Sequence, residues 1–223
     1  MNLLAIETTT EWCSVALWRS GEIDAQQVEA GQRHSSLLLG MIDALLVRHA
    51  LSARELDGYA YGAGPGSFTG VRIGCGVAQG LAYAAGVPLA GICTLLALAE
   101  ASGAARVVAC LDARMGELYH AAYVREGGRW REVHAPQLCK PATAPDLNGA
   151  GWTGCGSGYA TYPEALAQRY ARNVEHVMPE LVPHARDVAA LAAIGFAQGD
   201  VAGPEAAVPL YVRNKVALRV AER

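Results

Sequence analysis

The residues with the most obvious chemical capacity lie at two turns. Glu7-Thr8-Thr9-Thr10 ends an apolar run with one acid and three hydroxyls. Groups placed there can hold a nucleotide phosphate, or its metal through water; they can equally close a hydrogen-bonded β-turn. The second turn lies within Tyr61-Gly62-Ala63-Gly64-Pro65-Gly66-Ser67-Phe68-Thr69-Gly70. Pro65 fixes one φ, and the glycines on either side of it allow positive φ. Ser67 or Thr69 is positioned to cap a helix over residues 70–85. A strand, a glycine turn and a helix start leave amide donors and a positive dipole end facing the turn, which suits an anion. The candidate nucleotide-binding residues are therefore Glu7, Thr8, Thr9, Gly64, Gly66 and Ser67. No Lys follows the glycines as a P-loop requires, and the spacing is not a Rossmann fingerprint. A tight turn before a closely packed helix accounts for the same glycines.

Other chemistry finds little support. The six histidines include no HExxH, and His34 and His49 are too far apart to form a metal pair on one face, so no metal site is expected. No nucleophile and base can be paired from the pattern, so no catalytic residue is assigned.

The glycine helix shows what must position the turn. Gly74, Gly76 and Gly80 each cost about 1 kcal/mol of helix propensity relative to Ala, which close packing must offset. At 100° per residue, Gly70, Gly74 and Ala78 form one row and Gly76, Gly80 and Ala84 another, with Val77 and Leu81 between them. The surface that backbone approaches is either the underlying sheet or a second chain. A helix is also predicted over 34–50, introduced by Gly31 and capped by Ser35 or Ser36. Leu37, Leu38, Met41, Ile42, Leu45 and Leu46 form its apolar stripe, and Leu39, Ala44 and Val47 widen it beyond one core face.

The chain has 223 residues, 52% of them hydrophobic, enough for one large core or two smaller ones. A net charge of −3 argues against avid nucleic-acid binding by this chain alone. Six cysteines without a CxxC pair read as reduced, buried small hydrophobes of a cytoplasmic protein. No signal peptide is expected at the N-terminus. The apolar stretch 71–98 is broken by Arg72, Gln79 and Pro88, so it reads as helix-strand-helix and not as a membrane span.

In chain order, strands are predicted at 3–6, 13–18, 22–29, 59–62 and 88–93, and a short helix at 95–101. Residues 108–112, 117–124 and 130–135 then repeat the opening meander, with Asp112 ending its strand as Glu7 does. Beyond Pro136 the pattern thins to helices at 164–172 and 187–198 and a strand-like run at 208–212. The division expected is 1–102 and 103–223, with the tail 207–223 returning to the first lobe.

Several runs together resemble one family: Leu4-Ala5-Ile6-Glu7-Thr8, Cys13-Ser14-Val15-Ala16-Leu17, His34-Ser35-Ser36-Leu37-Leu38, Gly64-Pro65-Gly66-Ser67-Phe68-Thr69-Gly70-Val71-Arg72-Ile73-Gly74, Leu111-Asp112-Ala113-Arg114-Met115-Gly116-Glu117-Leu118-Tyr119 and Val208-Pro209-Leu210-Tyr211-Val212-Arg213-Asn214. They are similar to the bacterial TsaB (YeaZ) family, the non-catalytic subunit of the machinery that makes N6-threonylcarbamoyladenosine in tRNA.

The resemblance implies an α/β, two-lobed actin/Hsp70-like ATPase (ASKHA) fold with a truncated second lobe. It implies no enzyme activity in this chain. Where the catalytic paralogue, TsaD, carries two metal-binding histidines, the matching segment Gly91-Ile92-Cys93-Thr94-Leu95-Leu96-Ala97-Leu98 offers Thr and Leu. It implies no intrinsic cofactor, ATP or ADP being expected at the complex interface. The implied partners are a TsaD-type paralogue and a TsaE-type ATPase, with tRNA met only through the complex, a homodimer when the chain is alone, and no membrane. Family members pair through the two N-terminal helices. The interface expected here is His34, Leu37, Gly40, Met41, Gly70, Arg72, Ile73, Gly74, Val77 and Leu81. An ATP-hydrolysing module with the carboxylates Glu7 and Asp112, a nucleotide-binding module using Glu7, Thr8, Thr9 and the Gly64–Gly70 turn, and a glycoprotease-like peptidase are the alternatives.

Overall fold

A computed structural model describes residues 1–213. The chain opens with a meander of β1 (Asn2–Glu7), β2 (Trp12–Arg19) and β3 (Glu22–Glu29). Ser20 and Gly21 both take positive φ, at 53° and 95°, the pairing that a tight hairpin turn needs. Helix α1 (His34–Arg48), β4 (Gly58–Gly64), α2 (Phe68–Ala85), β5 (Leu89–Cys93) and α3 (Thr94–Ala101) complete the first half. The second half runs β6 (Arg106–Asp112), β7 (Leu118–Glu126), β8 (Arg129–Cys139), β9 (Trp152–Cys155), α4 (Ser157–Thr161), α5 (Pro163–Arg169), β10 (Val174–Met178) and α6 (Ala185–Gln198).

Two five-stranded sheets result, ordered β3-β2-β1-β4-β5 and β8-β7-β6-β9-β10. In each, the first strand pairs antiparallel with the second and parallel with the fourth. The duplication expected from the repeated meander is thus present strand for strand. The second half is not short of strands, as its thinning pattern suggested. Trp152–Cys155 and Val174–Met178 are brief and flanked by Gly, Asn and Pro, so they carry no local periodicity. The truncation falls on helices: where α1 follows β3, only the 3-10 turn Pro141–Thr143 follows β8.

Residues 103–213 do not all belong to the second lobe, and residues 1–102 do not all belong to the first. Helix α6 packs across all five strands of the first sheet. The reason lies in the register. Ala25, Ala16, Ala5, Ala60 and Ala90 stand opposite one another from β3 to β5, giving a row of methyl groups over which α6 lays Ala185, Val188, Ala189 and Ala192. The Ser14 hydroxyl accepts the Ala185 amide at 2.9 Å and fixes the start of the helix. Conversely, Leu95, Leu98 and Ala99 of α3 pack on β6 and β7 of the second sheet. Each half lends a helix to the other.

The opposite face of the first sheet carries α1 and α2 over Leu4, Ile6, Val15, Leu17, Tyr59 and Tyr61. Helix α1 begins one residue beyond Arg33, and neither Ser35 nor Ser36 caps it. The Ser36 hydroxyl instead donates to the Arg33 carbonyl at 2.9 Å. Ser67 caps α2 as expected, accepting the Gly70 amide at 3.4 Å.

The glycine rows of α2 divide between inside and outside. Gly70 and Gly74 are buried against Thr8 at the end of β1: a Cβ on Gly70 would overlap the Thr8 carbonyl oxygen, and one on Gly74 would lie 2.5 Å from Thr8 Oγ1. Thr8 Oγ1 donates to the Gly70 carbonyl at 2.8 Å across this contact. Their assignment to an intermolecular surface is therefore corrected: the row meets the sheet of its own chain. His34 is also internal, its Nε2 donating to the Trp12 carbonyl at 3.2 Å. Gly76 and Gly80 face open space.

Residues 207–211 return to the first lobe without forming a strand, and Arg213 reaches across to the second. Leu210 donates its amide to the Ala63 carbonyl at 2.7 Å, and the Tyr61 hydroxyl donates to the Val208 carbonyl at 3.0 Å. The rest of the expected returning tail, from Asn214 through Lys215 and Arg219 to Arg223, lies outside the described residues.

The two rows respond oppositely to one added methyl. Gly70→Ala should lower stability by about 2 kcal/mol or more, because backbone must shift. Gly80→Ala should raise it by up to about 1 kcal/mol through helix propensity. Urea denaturation of both variants checks this; equal effects would contradict the placement of the rows.

Candidate functional site

A cleft of about 910 Å³ opens between the lobes, at the ends of β1 and β6 and the start of α2. One wall is Thr9, Pro65, Gly66, Ser67, Phe68 and Arg72; the other is Asp112, Ala113, Arg114, Met115 and Ser157, with Tyr211 and Arg213 of the returning tail at the mouth.

The six candidate nucleotide residues do not converge here. Thr9, Gly66 and Ser67 line the cleft. Glu7, Thr8 and Gly64 are consumed by the fold. Glu7 Oε1 accepts the Thr9 amide at 2.6 Å, and its carboxyl fills the space above Gly62 that any side chain there would need. Thr8 is bonded to Gly70 as described. Gly64 does take positive φ, 103°, but lies beneath Leu210 and Val71. Gly66 has no positive φ; it is required because a Cβ would overlap the Thr9 carbonyl. That carbonyl accepts the Ser67 amide at 2.7 Å. As a nucleotide cradle the set does not fit, because its one carboxylate points into the core.

What the turn residues missed is a group of arginines. The Arg72 guanidinium lies 3.3 Å from the Phe68 ring centroid and 5.0 Å from that of Tyr211, so tail and helix clasp one cation between two rings. Arg213 donates to the Ala113 carbonyl at 2.8 Å and pairs with Glu117 at 2.9 Å. Arg114 pairs with Asp112 at 3.0 Å. Arg114 and Met115 both take positive φ, 62° and 58°, which costs about 1–3 kcal/mol each. Asp112 Oδ1 holds this strained turn by accepting the Arg114 amide at 2.8 Å and the Tyr162 hydroxyl at 3.2 Å. Asp112 is thus a turn anchor, as Glu7 is. Sequence pattern contains no sign of the strain, since neither residue is a glycine.

The serines in the cleft are also committed. Ser67 accepts the Gly70 amide, and Ser157 accepts the Asp112 amide at 3.1 Å. Among the described residues no histidine lines the cleft, and no group of three or more His, Cys, Asp or Glu could hold a metal. No helix of the described residues is long and apolar enough to cross a membrane. Residues 71–98 form helix, strand and helix, as read from the sequence.

Glu7 has a measurable consequence. Burial pushes its carboxyl up from 4.5 to about 7, against the lowering effect of its bonds to Thr9 and Thr8. A carboxyl raised in the fold takes up a proton on folding, so the stability it contributes is complete below pH 4.5 and is lost as pH rises through about 7. The loss amounts to roughly 3 kcal/mol. In Glu7→Gln the side chain stays neutral. Denaturation at pH 5 and pH 8 should show the variant gaining on the parent by that order at the higher pH; a constant difference between the two would contradict the assignment.

Residues 23–198, more than half of the chain, match the family described as TsaD, tRNA N6-adenosine threonylcarbamoyltransferase. The tRNA threonylcarbamoyladenosine biosynthesis protein TsaB of Escherichia coli strain K12 is 40% identical over 97% of this chain and 96% of its own length. The protein of the same name from Haemophilus influenzae is 36% identical over 97% and 95%. Two solved structures match as well. YeaZ from Pseudomonas aeruginosa superposes with a TM-score of 0.87 at 35% identity, covering 94% of this chain and 99% of that one. A second, described as an uncharacterised protein from Pseudomonas aeruginosa with similarity to the peptidase YeaZ, gives 0.88 at 35% identity over 95% and 99%. With the doubled sheet, the exchanged helices and relatives aligned from end to end, the chain belongs to the TsaB (YeaZ) family.

Proposed function

We propose that this chain is a non-catalytic scaffold subunit in threonylcarbamoyl transfer to the N6 of adenosine 37 of tRNA, acting by docking a TsaD-type catalytic paralogue. The relatives' names supply the pathway. The observation that carries the scaffold role is the outer face of α1 and α2.

On α1, Gly40, Ala44 and Val47 fall on one exposed stripe, with Val47 69% exposed and Leu39 beside it 57% exposed. On α2 the exposed row is Arg72, Gly76, Gly80 and Tyr83, Tyr83 being 77% exposed. Between the rows, Leu37 and Met41 of α1 and Ile73, Val77 and Leu81 of α2, all half-buried, pack against the same core. A contiguous apolar surface rimmed by polar residues marks a protein contact. Glycines along its middle let the backbone of another helix pair come close. The proposed surface therefore keeps Leu37, Gly40, Met41, Arg72, Ile73, Val77 and Leu81, drops His34, Gly70 and Gly74, and adds Val47, Gly76 and Gly80.

The cleft supports the non-catalytic part of the reading. Its carboxylates anchor turns, and its serines accept backbone amides. Nucleotide, if it acts in the assembly, is then held at a junction with the partner. The TsaE-type ATPase and tRNA are met through the complex, in keeping with the net charge of −3. In the cytoplasm without its partner, the same face would join two copies of this chain.

Two substitutions on the open row test the docking face. Gly80→Trp and Gly76→Glu should each weaken association with a co-expressed TsaD-type paralogue at least about tenfold. The thermal midpoint of the isolated chain should stay within about 3 °C. Pull-down and thermal melting report both quantities; undiminished association of folded variants would reject the face.

A further inference from the structure

Four strands form the edges of the two sheets: β3, β5, β8 and β10. Exposed edges invite other chains to pair, and proteins guard them with charges. β3 carries Glu22, Asp24 and Glu29; β8 carries Arg129, Arg131 and Glu132; β10 carries Glu175. β5, Leu89-Ala90-Gly91-Ile92-Cys93, carries none.

This unguarded edge already accepts one residue of extended chain. Leu89 donates to the Ala202 carbonyl at 2.9 Å and accepts the Ala202 amide at 3.1 Å, and the pairing stops there because Asp200 turns back to close α6. Alternate residues of a strand direct both backbone groups to the same side. Pro88 faces inward, its carbonyl accepting the Tyr59 amide, so Leu89 and then Gly91 face outward. Gly91 is exposed, and no strand of the described residues pairs with that side of it. It cannot acquire a guarding side chain cheaply, since a Cβ would lie 3.0 Å from the Tyr61 hydroxyl.

Beside this edge runs a groove of about 490 Å³ between β5, α6 and the β7–β8 hairpin. Ile92, Leu96, Leu191, Ile194 and Trp130 give it an apolar lining, Ile194 being 44% exposed. Arg129 and Asp200 stand at its rim, and neither forms an ion pair among the described residues.

We propose that the β5 edge is a docking site for an extended, mainly apolar segment of another protein, carrying one acid and one base. The outward amide and carbonyl of Gly91, unpaired among the described residues, select an extended backbone over a helix or a small molecule. The groove receives alternate apolar side chains, and Arg129 and Asp200 receive the two charges. The site lies on the sheet edge and the α6 side, away from the α1–α2 face, so it can be filled while that face is engaged.

The probe is the capped peptide acetyl-Lys-Val-Val-Thr-Val-Val-Asp-amide, whose Lys, third and fifth residues and Asp share one face when extended, titrated into the isotopically labelled full chain and followed by amide chemical shifts. Gly91 and Ile92 should shift, and hydrogen exchange at Gly91 should slow as the peptide saturates. Arg129→Glu should weaken binding at least threefold, and a peptide with Lys in place of Asp should recover it. Ile194→Glu should abolish the shifts. Three results would overturn the proposal: no change at Gly91 up to millimolar peptide, shifts confined to the interlobe cleft, or protection of Gly91 that appears without peptide and grows with protein concentration, which would make the occupant a second copy of the chain.

Discussion

The contact between the end of β1 and the start of α2 governs the rest of the molecule. Thr8 sends its hydroxyl to the Gly70 carbonyl at 2.8 Å, and its own carbonyl occupies the space a Gly70 side chain would need. A helix held this closely has no rotational freedom about its axis. With Gly70, Gly74 and Ala78 turned to the sheet, Gly76 and Gly80 are necessarily turned out. The helix gives up about 1 kcal/mol of propensity at each interior glycine. The inner glycines recover it by packing within the chain. The outer ones have no compensating contact among the described residues, which is the physical sense in which the surface is incomplete.

The same contact closes the pocket chemistry. Drawing α2 onto β1 presses Gly66 against the Thr9 carbonyl and leaves Glu7 below, over Gly62, with its carboxyl raised to about 7. In the equivalent place on the second sheet, Asp112 secures the strained Arg114–Met115 turn. The two acids that end corresponding strands have thus become structural, one buried and one tethered. The cleft remains, lined by arginines held by rings, carbonyls and acids of the same chain.

Much of this was legible in the sequence. The opening strands and the Ser67 cap are local, and each formed as read. The repeated meander pointed to the duplicated sheet, and the runs shared with relatives identified the family. What escaped the reading was non-local. The alanines at 5, 16, 25, 60 and 90 are unremarkable singly and become a helix seat only once strand register aligns them. Because that seat is not visible in the sequence, the expected division leaves α6 with the second half, whereas it packs on the first sheet. Glycine rows could be drawn on α2, but which row faced inward depended on Thr8, sixty-two residues earlier. Trp152–Cys155 and Val174–Met178 are strands only because β6 and β9 pair with them.

The central claim is that the chain acts through the outward side of its first two helices and not through its cleft. Hydrogen exchange of the chain, alone and saturated with a TsaD-type paralogue, tests it directly. The account predicts new protection across residues 37–47 and 73–84, with residues 7–9 and 111–116 exchanging as before. Protection concentrated around the cleft, with the two helices unchanged, would contradict it.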